Sequence, residues 1–194
     1  MEWEDFQTTL YSPFGIGYID NIAGAESTGL ELELNAQLTQ RLRMGLSYSY
    51  TKAETTDPFE QVAGDPSTIV DSGTDLPGTL EHQAFANVRY DRELPGGSSL
   101  VFYADVAWRG DTNSAFRDQP AMATENFAKL DSYTVWNSSL SWMNEGYTIG
   151  LFGENLSNER ATSIITTADF VGAQDAGYGV IKPRTYGIRF KWSY

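Results

Sequence analysis

Cysteine is absent from the 194 residues, histidine occurs once, and bases are scarce, 13 against 26 acids, for a formal net charge of −13. Without cysteine there is no disulfide framework, no thiolate zinc site and no cysteine nucleophile. One imidazole cannot build a multi-histidine metal centre, and any Ser–His arrangement would have to use His82. The shortage of Lys and Arg argues against nucleic acid as a partner, because phosphate backbones are bound by a basic surplus. Long apolar runs are missing as well. The best is Leu100-Val101-Phe102-Tyr103-Ala104, far short of the roughly 20 residues of a membrane-spanning helix. The opening Met1-Glu2-Trp3-Glu4-Asp5-Phe6 has neither a basic nor an apolar region, so no signal peptide is expected there. Hydrophobic residues at 41% and charged residues at 20% exclude a disordered polyelectrolyte, and the length suits a single domain.

What is present is alternation. In Arg41–Tyr50, Leu42, Met44, Leu46, Tyr48 and Tyr50 alternate with Arg41, Arg43, Gly45, Ser47 and Ser49. Period two is the signature of a strand with unlike faces. The pattern recurs at 29–38, 80–91, 100–109 and 185–194, more weakly at 131–143 and 147–156, and an opening segment covers 2–11. Phe85 breaks it by standing among polar residues. The reading is all-β, with about eight antiparallel strands.

Connections alternate in length too. Thr39-Gln40, Pro95-Gly96-Gly97 and Asn144-Glu145-Gly146 have hairpin-turn chemistry. Polar loops are predicted near 53–78, 110–130 and 157–182, with a short connection at Ser12–Gly15. Short turns at one end and long loops at the other is the asymmetry of an outer-membrane barrel, with short periplasmic turns and long extracellular loops. A soluble sandwich or ligand-binding barrel would also alternate, its apolar face turned inward. The transmembrane barrel is favoured by charges in mid-strand (Glu31, Glu33, Arg89, Asp105, Arg109) and aromatics near strand ends (Tyr48, Tyr50, Trp108, Trp142, Trp192, Tyr194).

Three segments then carry a resemblance. Tyr18–Glu31, with Asn21, Ala25, Gly29 and Glu31, is similar to an N-x-x-x-A-x-x-x-G-x-E strand. Glu154–Ala161, with Asn155 and Leu156, is similar to an N-L-x-[DN] strand ending, although Ala161 stands where an aromatic is usual. Pro183–Tyr194, with Pro183, Arg184 and Gly187, is similar to a P-R-x-[YF]-G closing strand. In this order they resemble the C-terminal barrel portion of TonB-dependent outer-membrane receptors. The resemblance implies barrels of about 22 strands closed by an N-terminal plug, located in the Gram-negative outer membrane. It implies import of scarce ligands of the iron–siderophore, vitamin B12 or glycan class, with energy from the TonB complex. Residues 1–194 would be the last eight strands, with plug domain, TonB box and signal peptide absent. Implied partners are outer-membrane lipid, the barrel-assembly machinery, the TonB complex through the missing N-terminal part, and a small-molecule ligand such as an iron chelate. The alternative is a free-standing eight-stranded outer-membrane barrel with a structural or adhesion role.

No catalytic residue, metal ligand or cofactor is predicted, and ligand-binding residues are not identified. His82 reads as a histidine of the outer aromatic girdle. The acids Glu54, Asp57, Glu60, Asp65, Asp71 and Asp75 read as a solvated rim rather than a calcium site, since EF-hand spacing is missing. That rim would disfavour an anionic chelate. Tyr103, Arg89, Asp105, Arg109 and Arg189 are expected to face the lumen, either paired with one another or touching substrate. Phe116, Phe127 and Phe170 would pack on a ligand or fasten the loops together. Tyr186, Ile188, Phe190, Trp192 and Tyr194 fit the recognition pattern of the barrel-assembly machinery and also an ordinary lipid-facing row.

Overall fold

A computed structural model describes residues 1–14, 16–116, 129–170 and 173–193. Eight strands form one antiparallel sheet in which sequence neighbours pair: β1 (Glu2–Tyr11), β2 (Gly17–Gln37), β3 (Leu42–Thr55), β6 (His82–Glu93), β7 (Ser99–Arg109), β10 (Tyr133–Asn144), β11 (Tyr147–Glu154) and β14 (Thr185–Trp192). Three small hairpins decorate the connections, pairing β4 (Phe59–Glu60) with β5 (Ile69–Val70), β8 (Thr112–Asn113) with β9 (Lys129–Leu130), and β12 (Thr162–Phe170) with β13 (Ala173–Val180). Among the described residues β1 pairs only with β2 and β14 only with β11, so the sheet stays open. A closed eight-stranded barrel is therefore not what forms.

Register follows the alternation. Leu30, Leu32, Leu34 and Ala36 of β2 stand opposite Tyr50, Tyr48, Leu46 and Met44 of β3. The row continues through Ala86, Val106 and Trp136 to Leu140, Leu151 and Ile188 on later strands. This face is apolar along the central strands apart from Ser138 of β10, yet Leu30, Leu34 and Ile188 are 54%, 54% and 73% exposed. No second sheet or helix covers it among the described residues. Burying a Leu or Ile side chain is worth about 1.5–3 kcal/mol, so a soluble sandwich would not leave such a row in water. Hydrocarbon is the solvent that satisfies it.

Aromatics bracket the apolar band. At the loop end, His82 shares a 2.8 Å hydrogen bond with the Tyr48 hydroxyl and lies 5.2 Å from the Tyr50 ring and 6.5 Å from Trp108. The sole histidine is thus a girdle residue. At the turn end, Tyr147 stacks at 6.4 Å on Trp192 and meets Phe190 at 6.3 Å.

The turns are tight because the backbone is. Asn144 pairs with Tyr147 across Glu145 and Gly146, whose φ angles are 37° and 88°. Two positive φ angles define the primed hairpin turn whose twist matches the strands.

The long connections are more structured than polar loops. Strand β3 continues to Thr55, and the 157–182 connection contains the β12–β13 hairpin. Between β3 and β6, the β4–β5 pair brackets a 3-10 turn at Pro66–Thr68. Asp65 caps it, accepting the Ser67 hydroxyl at 2.6 Å and the Ser67 N–H at 3.0 Å. These bonds hold the Asp65 carboxyl below the usual carboxylate range. The loop is fastened to β1 as well: Tyr11 N–H donates to Gln61 carbonyl at 2.8 Å and Ala63 N–H to Tyr11 carbonyl at 3.0 Å. Apart from Val101, the buried apolar residues (Leu10, Ile22, Ala25, Ala53, Val70, Phe116, Leu130) all lie at this loop end. What core there is sits above the membrane band.

Candidate functional site

The face opposite the lipid band is the inner wall. Along β2 it carries Asn21, Ala25, Gly29, Glu31 and Glu33, because all are odd-numbered in an extended strand. Ala25 is fully buried between its register partners Trp3 and Thr55. A Cβ at Gly29 would collide with the Tyr50 carbonyl oxygen, so only hydrogen fits there. The small residues of this motif are places where strands and loop crowd together.

Charge on the wall is largely neutralised within it. Near the turn end, Asp91 accepts from Arg89 Nη2 at 2.8 Å and from Arg43 Nη2 at 2.8 Å. Asp105 accepts from Asn137 Nδ2 at 2.7 Å. The Arg189 guanidinium lies over the Phe152 ring, 5.0 Å from its centroid. Gly187 faces Phe152 in register, and a Cβ there would sit 3.1 Å from the ring. A hollow of about 420 Å³ opens among Tyr103, Asp105, Asn137, Phe152, Lys182 and Arg189. A second, about 560 Å³, is lined by Glu31, Glu33, Phe85 and Arg109. Phe85, the break in alternation, stands on this wall between Ser47 and Ala107, whose small side chains give it room.

Asn155 is the best-connected motif residue. It is 3% exposed with φ 49°. Its Nδ2 donates to the Glu159 and Lys182 carbonyls, each at 2.9 Å, and its Oδ1 accepts the Glu159 N–H at 2.8 Å. Leu156 N–H donates to the Trp136 carbonyl at 2.8 Å. Asn137, which sequence reasoning passed over, supplies the Oδ1 that accepts the Asn155 N–H at 3.0 Å. Its only signal is an amide at an inward-facing position. Pro183 and Arg184 form the exposed approach to β14, where the Pro183 carbonyl accepts the Thr185 hydroxyl at 3.0 Å.

Tyr186, Ile188, Phe190 and Trp192 line the outward face of β14, 60% or more exposed. Tyr194 lies outside the described residues, as does Phe127. Phe116 meets Phe59 across two loops, which places it with the loop fasteners.

The acidic loop does not converge on a cation. Asp57 accepts the Thr56 hydroxyl, Glu60 the Gly64 N–H, and Glu54 pairs with Lys52. Among the described residues no group of three or more acids and histidines is arranged to hold a metal. Above the membrane band, Asp111 and Lys129 form an ion pair at 2.6 Å that holds the Asp111 carboxyl below its usual range. Charge is divided sharply along the strands. Among the described residues, segments 1–28, 51–82, 109–116, 129–135 and 154–185, at the loop end, hold 18 acids and 6 bases. The strand segments 29–50, 83–108, 136–153 and 186–194 hold 6 of each and are neutral, so the acid excess of the described residues belongs to the loop end.

An open sequential sheet with an apolar exterior, a polar inner wall, tight turns at one end and built loops at the other is the wall of a transmembrane β-barrel. Residues 1–156 match the TonB dependent receptor-like β-barrel family, and the chain belongs to that family. Among solved structures it is similar to the ferric yersiniabactin uptake receptor FyuA from Yersinia pestis, with a TM-score of 0.73 and 20% identity, covering 100% of this chain and 26% of that one. It is also similar to the siderophore receptor PiuA from Acinetobacter baumannii (TM-score 0.67, 17% identity, 97% and 24% covered). A third is the ferric-catecholate import receptor Fiu from K12 E. coli (TM-score 0.65, 18% identity, 96% and 23% covered). The chain thus spans about a quarter of the length of these receptors. A search of curated proteins gave no significant match. TonB-dependent receptors are outer-membrane transporters, not enzymes.

Proposed function

We propose that residues 1–194 are the C-terminal part of the barrel of an outer-membrane receptor that imports a scarce small molecule with energy from the TonB complex. In this reading further barrel strands, a plug and the TonB-contacting segment belong to a longer parent chain. The observation that carries it is the open sheet: among the described residues no further strand pairs with the outer side of β1 or of β14, and hydrocarbon cannot hydrogen-bond the backbone groups along the edge of a sheet. Additional strands on both edges would complete the ladder. Coverage of about a quarter of each receptor supports the same reading.

The ligand class proposed is an iron chelate, as FyuA, PiuA and Fiu are described as receptors for ferric yersiniabactin, siderophores and ferric catecholates. The acid excess at the loop end favours a neutral or cationic chelate over an anionic one. Tyr186, Ile188, Phe190, Trp192 and Tyr194 serve as the assembly signal in this reading, and their row then faces lipid.

The test is the mass of the native species in an outer-membrane fraction, detected with an antibody to the closing strand. A species several-fold heavier than 21.5 kDa is expected. A folded, detergent-dependent species at 21.5 kDa would retire the import reading in favour of a small independent barrel.

A further inference from the structure

Asp105, Asn137 and Asn155 form a continuous polar line from the inner wall to the base of the β12–β13 hairpin. A carboxylate only accepts and a backbone N–H only donates. Asn137 must therefore present Nδ2 to Asp105, at 2.7 Å, and Oδ1 to the Asn155 N–H, at 3.0 Å. Beyond it, Asn155 grips both legs of the hairpin, the outgoing one at Glu159 and the returning one at Lys182. Its left-handed backbone, φ 49°, turns the side chain between those legs. A backbone bond from Ile181 N–H to the Ala161 carbonyl, 3.1 Å, and the Lys182–Glu154 pair at 2.6 Å close the base.

We propose that Asn137 is a positioning residue, through which Asp105 on the inner wall sets the placement of the outer β12–β13 hairpin. The inference does not depend on the import reading, since it concerns the wall and hairpin of this chain alone. Asp105 also lines the hollow beside Tyr103 and Arg189. A donor that enters the hollow and takes Asp105 competes with Asn137 and loosens its hold on Asn155. The hairpin thereby responds to the state of the wall without touching what occupies it.

The experiment is amide hydrogen exchange on the outer-membrane protein that carries this chain, purified in detergent, with β7 and β10 as internal controls. Asp105→Ala and Asn137→Ala are expected to speed exchange across the hairpin about tenfold, the scale of one lost hydrogen bond to a charged group that is partly buried. Control amides outside the substituted positions stay near wild type. Asp105→Asn keeps an acceptor and is expected to stay at the wild-type rate. Asn137→Asp sets two carboxylates together and speeds exchange. Combining Asn137→Asp with Asp105→Asn restores the donor–acceptor pair and the slow rate. Unchanged hairpin exchange in Asp105→Ala, or failure of the swapped pair to rescue Asn137→Asp, overturns the proposal. Should Asn137→Ala not assemble, Asp105→Ala alone decides.

Discussion

Phe59 and Phe116 meet edge to face, their ring centroids 5.3 Å apart and their planes at 78°. Two outer connections are thereby joined by an aromatic pair, and Phe116 is 5% exposed. Truncating a buried Phe costs about 3–5 kcal/mol of the stability it supports. Phe116→Ala should therefore leave the transmembrane strands folded while making the β4–β5 connection an early site of proteolytic cleavage. Equal resistance of mutant and wild type would show that the pair fastens nothing.

Thr55 is a second fastener. It is 1% exposed, donating its hydroxyl to the Asp71 carbonyl at 2.8 Å and accepting the Thr74 N–H at 3.1 Å. Thr55→Val keeps the shape and orphans both partners, at a cost of about 1–3 kcal/mol. A lowered urea midpoint in detergent, with an unchanged slope, is the expected result.

Gly146 occupies φ 88°, and a Cβ there would stand 2.5 Å from the Ser193 carbonyl oxygen. Gly146→Ala meets both the left-handed penalty of about 1–2 kcal/mol and that clash. Reduced refolding yield into lipid vesicles is expected. Glu145→Asn, which suits the positive φ at the preceding position, should instead match or exceed wild type.

The Asp111–Lys129 pair gives a pH dependence. Lys129, chiefly through its hydrogen bond, lowers the Asp111 carboxyl from its ordinary 3.8. A lowered folded value means the contact's contribution is fully present above 3.8 and fades as pH falls below it. Both side chains are more than half exposed, so the effect is small and screened by salt. Exchange at Thr112 and Asn113 should quicken only under acid conditions, and Asp111→Asn should remove that dependence.

The alternation told which residues share a face, because the register of a half-apolar strand admits no one-residue slip. Leu30 to Ala36 and Tyr186 to Trp192 stand on the lipid side as their spacing implies. Motif residue Asn155 was visible too, but not its work, which depends on Glu159 and Lys182 returning from 4 and 27 residues away. The interior of the long connections was hidden for a different reason. Thr162-Ser163-Ile164-Ile165-Thr166-Thr167 is a strand-forming, mostly β-branched run, but it lacks the period two that marks a strand with unlike faces. Phe59–Glu60 and Thr112–Asn113 pair for only two residues each, too short for any periodicity.

The closing strand offers a last test. Phe190 meets Tyr147 at a tilt of 36° and faces outward beside Trp192. Phe190→Ala, or deletion of Tyr194, should reduce the amount of heat-modifiable folded protein in the outer membrane. Undiminished folded protein in both variants would leave the row as lipid contact alone.

Strand β2 runs 21 residues, from Gly17 to Gln37, whereas a tilted strand crosses hydrocarbon in about 9–11. Its Leu-rich stretch begins only at Leu30, so at about 3.3 Å per residue some 40 Å of strand length, measured along its tilted course, continues beyond the bilayer. The acid excess of the described residues rides on the loop-end segments that stand beside it. There the surrounding medium is electrolyte, with a Debye length of about 8 Å at physiological ionic strength. Ionic strength outside the cell, rather than the membrane dielectric, therefore sets how far out a charged molecule first feels this rim.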